Sequence, residues 1–286
     1  MWYFYVDVEV VDFKTDPKLL LTITGSTEKS YVEEIYSLAV LANEIFVVTM
    51  KNAEVEVYDR TSLQVQRYLT VANLKEPRDI VSCSRNNCLY IIDGKPFGQP
   101  MEILKIGIIG NVLKKVWRGN DWGRLSVTRE SNLILAVLNK SKLLEITPDG
   151  KLLREITLDV SLPWHALKLT SDLFLVVYGK CSGGGICMVN SNGKVLMSTS
   201  DEALCTSDSL LINLAVNRDG SVLVVDEYGG RIILLTSSLE YQRELVSRKH
   251  GLMHPRRLFV DEPNGRLLVC DNSINEGRIL VFDIAG

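Results

Sequence analysis

One stretch decides the fold: Leu214-Ala215-Val216-Asn217-Arg218-Asp219-Gly220-Ser221-Val222-Leu223-Val224-Val225. A short apolar run meets an Asp-Gly turn, the pair that tight hairpins prefer. A nearly continuous apolar run follows, as in a strand buried on both faces. Glu227-Tyr228-Gly229-Gly230 then makes a loop, Arg231 to Leu235 a third strand, and Tyr241 to Leu245 a mixed, polar fourth. A polar fourth strand suits an outer edge that must resist pairing with other chains. The same unit recurs. Its first strands begin at Leu38, Ile80, Leu125, Leu167, Leu214 and Leu258, spaced 42, 45, 42, 47 and 44 residues apart. Strand repeats of this period predict an all-β chain, a six-bladed β-propeller with four-stranded antiparallel blades.

The sixth copy stops after its third strand, Arg278 to Phe282. Asp16-Pro17-Lys18-Leu19-Leu20-Leu21-Thr22-Ile23 resembles the turn and fourth strand at Asp149 to Ile156. We therefore expect an N-terminal strand to close the last blade. Residues 14–286 would form the propeller, with residues 1–13 an N-terminal segment or linker. Val8 to Phe13 duplicates the third-strand pattern, which leaves its place open. Leu239 to Lys249 holds the best helical pattern, but its place in the repeat favours a strand followed by a loop.

Composition narrows the function classes. The chain has 286 residues, 46% hydrophobic and 23% charged, with a net charge of −3. That charge gives no general attraction to nucleic acid or an anionic membrane. No apolar run is long enough to cross a bilayer. The aromatic start Met1-Trp2-Tyr3-Phe4-Tyr5 lacks a basic leader and is broken by Asp7 and Glu9, so it does not read as a signal peptide. The six cysteines, Cys83, Cys88, Cys181, Cys187, Cys205 and Cys270, form no C-x-x-C pair, and there are three histidines. We expect no structural zinc, free thiols and a cytoplasmic location.

Loops entering first strands and loops joining second to third strands converge on one face, here called the top. They bring cations and aromatics together: Arg78, Trp122, Arg124, Trp164, His165, Tyr228, Arg256 and Arg257. Such residues anchor binding surfaces, and these eight are the expected contact set for a protein or peptide. Arginines beside aromatic planes also suit single-stranded RNA. Glu34, His165, Asn213 and His254 are the one mixed set that would hold a catalytic metal, although arginines at the same opening oppose it. No partnered nucleophile motif is visible. The reading is a non-catalytic module without a cofactor. Asp93, Asp226 and Asp271 recur at the ends of second strands, where they read as turn-stabilising acceptors.

The copies Leu214 to Asp226 with Arg231 to Leu234, and His254-Pro255-Arg256-Arg257-Leu258-Phe259-Val260 with Gly265 to Asp271 and Gly277 to Asp283, resemble the NHL repeat. The second copy matches in part through Pro77, Ile91, Ile92 and Asp93. Thr49, Leu138 and Tyr178 stand where the pattern has Asp. The resemblance implies the recognition end of a tripartite-motif ubiquitin ligase, selecting substrates or binding RNA; this chain carries no RING, B-box or coiled coil of that group. Related propellers include a peptide lyase and lactonases, so a metal-dependent lyase or lactonase is the enzymatic alternative.

Overall fold

The computed structural model describes residues 13, 15–24, 34–49, 54–94, 100–109, 111–120, 122–179, 184–199, 203–204, 206–273 and 276–284. They form six four-stranded antiparallel sheets arranged as a ring. Blade 1 is β2 (Ile35–Leu41), β3 (Glu44–Thr49), β4 (Glu54–Asp59) and β5 (Val65–Thr70). Blade 2 is β6 (Pro77–Cys83), β7 (Cys88–Asp93), β8 (Met101–Gly107) and β9 (Val112–Gly119). Blade 3 is β10 (Gly123–Val127), β11 (Leu133–Val137), β12 (Lys142–Ile146) and β13 (Leu152–Thr157). Blade 4 is β14 (Pro163–Lys168), β15 (Leu173–Tyr178), β16 (Gly185–Asn190) and β17 (Val195–Thr199). Blade 5 is β18 (Leu211–Val216), β19 (Val222–Asp226), β20 (Arg231–Leu235) and β21 (Tyr241–Val246). Blade 6 is β22 (Pro255–Asp261), β23 (Arg266–Ser273) and β24 (Glu276–Asp283), completed by β1 (Lys18–Thr24). Leu239 to Lys249 is strand β21 followed by a loop, as its place in the repeat implies, with a single 3₁₀ turn at Arg248–His250.

The closing strand lies where the sequence places it. β1 pairs antiparallel with β24, from Lys18 opposite Asp283 to Thr24 opposite Arg278. Ile23 is buried there against Ile279 and Cys270. Arg243 of blade 5 ties down the preceding chain, donating to Asp16 Oδ1 at 2.7 Å and to the carbonyls of Phe13 and Thr15. Phe13 is buried among blade 5 and blade 6 side chains. The rest of the Val8 to Phe13 pattern lies outside the described residues. Arg60 of blade 1 pairs with Asp261 of blade 6 across the neighbouring junction.

The core sits between blades rather than within one. Phe46, Val48 and Val57 of blade 1 interlock with Ile80, Leu89 and Ile91 of blade 2, and the other junctions repeat the arrangement. Second strands are covered by a sheet on each side, so β7, β11 and β19 are buried at every position. Fourth strands have one sheet neighbour and are exposed at most positions. In the β18–β19 turn Gly220 adopts φ +89°, a conformation open to glycine at little cost. Among the described residues, no helix is long and apolar enough to cross a membrane.

Candidate functional site at the propeller mouth

The first strands share an irregularity that builds the site. In five of them one extra residue bulges out of register with the second strand: Tyr36, Arg78, Trp164, Ile212 and Arg256. β10 of blade 3 has no bulge. There Gly123 brings the backbone so close that a Cβ would lie 1.8 Å from the Ala136 carbonyl. A bulge re-aims its side chain and bends its strand. The result is two layers at the axis, an inner hub and an outer mouth.

The hub is formed by the residue after each bulge, with Arg124 in the matching place in blade 3: Ser37, Asp79, Arg124, His165, Asn213 and Arg257. These polar positions interrupt otherwise apolar strands, and polar links run from blade to blade. Ser37 Oγ donates to Asp79 Oδ1 at 2.7 Å, joining blades 1 and 2. The Leu125 N–H donates to Asp79 Oδ2 at 2.8 Å, joining blades 2 and 3. His165 joins blade 4 to both neighbours: Nδ1 accepts the Leu214 N–H at 3.2 Å, and Nε2 faces the Leu125 carbonyl at 3.2 Å. An accepting Nδ1 fixes the proton on Nε2 and the ring as neutral. Burial, with Arg257 and Arg124 adding to it, holds the imidazole pKa well below its ordinary value. Asn213 Oδ1 accepts the Leu258 N–H at 3.4 Å, joining blades 5 and 6. Asn272 Oδ1, from β23, accepts the Ile35 N–H at 3.0 Å and closes the circle.

Two arginines cross this hub. Arg257 of blade 6 pairs with Asp79 of blade 2 at 3.5 Å. Arg124 of blade 3 reaches the opposite blade and donates to the Arg256 carbonyl at 3.3 Å. Burial lowers the Arg124 pKa; Asp79 acts against this, and Arg257 and Arg256 add to it.

The mouth lies above. The Tyr36 ring is held between two guanidiniums, Arg78 at 4.9 Å and Arg256 at 5.2 Å from its centre, and its hydroxyl accepts from Arg78 Nη1 at 2.8 Å. Burial raises the Tyr36 pKa against the pull of Arg78. Arg78 also pairs with Glu76 at 2.9 Å. Arg256 pairs with Glu227 at 3.1 Å and reaches Glu34 at 3.6 Å. Trp122 and Trp164 meet edge to face, centroids 5.7 Å apart, and Trp164 Nε1 donates to the Gly179 carbonyl at 2.9 Å. Tyr228, half exposed, projects from the β19–β20 loop beside Glu227.

The eight residues expected as contacts therefore divide. Tyr228, Trp122, Trp164 and Arg256 retain exposed surface at the mouth, and Arg78 is held under it against Tyr36. Arg124 and His165, at 9% and 1% exposure, are interior struts, and Arg257 is one of the crossing pair. The repeat alignment carried a partial signal, a polar residue just ahead of the apolar run in every blade but the fourth; strand register completes the division. Tyr36 and Glu227 were not singled out from sequence. Only the pairing of β2 with β3 reveals Tyr36 as the blade 1 counterpart of Arg78 and Arg256.

The metal set Glu34, His165, Asn213 and His254 does not assemble with open lone pairs. Both His165 nitrogens and Asn213 Oδ1 are engaged in the hub, and Glu34 faces Arg256. Among the described residues no three His, Cys, Asp or Glu side chains cluster as ligands. The recurring aspartates act as acceptors for the entering loops. Asp93 takes the Lys75 and Glu76 N–H groups, Asp226 those of Leu210 and Gly229, and Asp271 those of Met253 and His254. Asp226 and Asp271 also bind the arginine that leads the third strand, Arg231 and Arg278. In blade 3 the equivalent position is Val137 rather than Leu138. Val137 lies opposite Lys142 as Asp226 lies opposite Arg231, one residue earlier than the sequence alignment suggests.

No family model and no curated protein sequence matches the chain. Solved structures do. A protein of unknown function from Bacteroides caccae is similar over 84% of this chain and 97% of its own, at 14% identity and a TM-score of 0.58. The WD40 β-propeller domain of Doa1 covers 93% of this chain and 96% of its own, at 15% identity and a TM-score of 0.62. A glucose dehydrogenase covers 93% and 99%, at 12% identity and a TM-score of 0.65. At these identities the likeness shows the propeller fold, which serves unrelated activities.

Proposed function

We propose that this propeller is a non-catalytic recognition module that holds a protein or peptide segment across its top mouth. The observation that carries the reading is the anchor composition there. Tyr36 lies between Arg78 and Arg256, the Trp122–Trp164 pair lies beside them, and Tyr228 is half exposed on the rim. Arginine, tryptophan and tyrosine supply most of the energy of protein interfaces. The mouth arginines are charge-balanced by Glu76, Glu227 and Glu34. That balance favours a peptide over single-stranded RNA, whose binding needs an excess of unpaired cations. The reading is turned away from a lyase or lactonase because, of the residues suited to metal, His165 and Asn213 are committed to the hub and Glu34 faces Arg256.

The finer proposal is the substrate-selecting end of an NHL-type ubiquitin ligase, acting in the cytoplasm. It is supported by the Asp226–Arg231 and Asp271–Arg278 pairs in blades 5 and 6. The test is selection from a random peptide library, with a single-stranded RNA titration at low salt alongside. Peptides enriched by the wild type and lost with Tyr228→Ala and Trp122→Ala support the reading. RNA binding that falls steeply with salt, with no peptide enriched, replaces it.

A further inference from the structure

The unpartnered polar atoms around the axis are of one kind. Arg78 Nε, Arg256 Nε, Asn213 Nδ2 and Asn272 Nδ2 are buried without a hydrogen-bond partner among the described residues. All are donors. Native interiors leave few such groups, because each costs about 1–3 kcal/mol. Four around one axis call for a group rich in acceptors.

Charge narrows its class. Three guanidiniums meet at the hub, and two carboxylates pair with them, Asp79 with Arg257 and Glu227 with Arg256. Glu34 reaches Arg256 only from the rim. Arg124 has no carboxylate to itself: Asp79 and Glu227, which act on it, pair with Arg257 and Arg256, and its hydrogen bond goes to a carbonyl. A buried cation that shares its counter-charge with a second cation is unfavourable. Water would satisfy donors but leave this charge standing. An axial cavity of about 190 Å³ provides room. It runs below the hub between the first strands, lined by residues such as Ala39, Val81 and Ser126, with Arg257 in its wall.

We propose that the hub binds one carboxylate-class anion, seated against Arg257 at the hub end of the axial cavity, with Arg124 and Asn213 of the same ring as its further donors. Two oxygens match the paired donors of a guanidinium and an amide, and one negative charge balances Arg124. The site concerns the protein alone and does not rest on peptide binding at the mouth.

The test uses the full chain at constant ionic strength, with acetate replacing a bulky sulfonate buffer anion. Acetate is expected to bind with one-to-one stoichiometry and to raise the melting temperature saturably, by about 2–3 °C at tenfold excess over Kd. Asn213→Asp keeps the acceptor for the Leu258 N–H and puts a carboxylate oxygen where the amide nitrogen stood. It is expected to abolish the acetate response and to stabilise the protein without acetate. Arg124→Met is expected to abolish the response too. A wild type that does not respond to acetate overturns the proposal, as does an undiminished response in Asn213→Asp or an equal response to chloride. If either variant fails to fold, saturation-transfer NMR of acetate with the wild type decides: one saturable site supports the proposal, and no transfer refutes it.

Discussion

Removing the Asp79 carboxylate should loosen the ring at its axis. Asp79 is fully buried and accepts from Ser37 Oγ, from its own neighbour Ile80 and from Leu125 of the next blade, while Arg257 crosses to it. Asp79→Ala strands the buried Leu125 N–H, at about 1–3 kcal/mol. It also leaves Arg257 without its carboxylate, a loss of the kind that costs about 3–5 kcal/mol when a buried pair is broken. These terms overlap, so we expect a total of about 4–5 kcal/mol. Asp79→Asn keeps the volume and one acceptor oxygen, and should cost about 2–3 kcal/mol. Ser37→Ala removes a single donor and should cost about 1 kcal/mol. Equilibrium urea unfolding resolves this order. At a slope near 3 kcal/mol per molar, Asp79→Ala should lower the midpoint by about 1.5 M. A loss below about 1 kcal/mol for Asp79→Ala, or a larger cost for Ser37→Ala than for Asp79→Asn, would refute the view that the hub ties the blades together.

Three further outcomes follow from the same geometry. His165 is held neutral in the fold while the unfolded chain titrates near 6.5, so the unfolded state takes up the proton first. Its share of stability is whole above that pH and is lost as pH falls below it, at up to about 1.4 kcal/mol per unit; urea midpoints of His165→Gln between pH 7 and 5 should fall less steeply than those of the wild type. Ile23→Ala, in the closing strand, should cost about 2–4 kcal/mol by thermal unfolding, whereas Leu20→Ala on its exposed face should stay within about 0.5 kcal/mol. Cys83, Cys88, Cys187 and Cys270 are buried free thiols, with burial pushing the Cys187 pKa up to about 12; a chromogenic disulfide should label them only after denaturation, and rapid labelling of any of the four in the native protein would contradict the packing.

The sequence carried the ring in its spacing because each blade needs the same turn chemistry and the same doubly buried second strand. The closing strand was legible because Lys18 to Ile23 repeats the composition of a fourth strand. The division of the site was not. Arg256 and Arg257 are adjacent and chemically identical, yet one bulges to the mouth and the other turns to the hub. A register slip of one residue makes that difference, and it depends on pairing with β23 rather than on residue type. His165 looked like a ligand for the same reason. Its two nitrogens are occupied by backbone groups of blades 3 and 5, partners 40 and 49 residues away along the chain. The blade 3 position was misread by one residue because Val137 is itself apolar and lengthens the second-strand run by one.

The most direct test of a recognition surface at the mouth is a hydrogen-exchange footprint with a peptide recovered by the wild type. Slower exchange is expected at Glu227 to Gly230, around Trp122 and Trp164, and at His254 to Arg257, with the β18–β19 turn on the opposite face unchanged. Protection confined to that opposite face, or to an outer strand such as β5, would contradict the account.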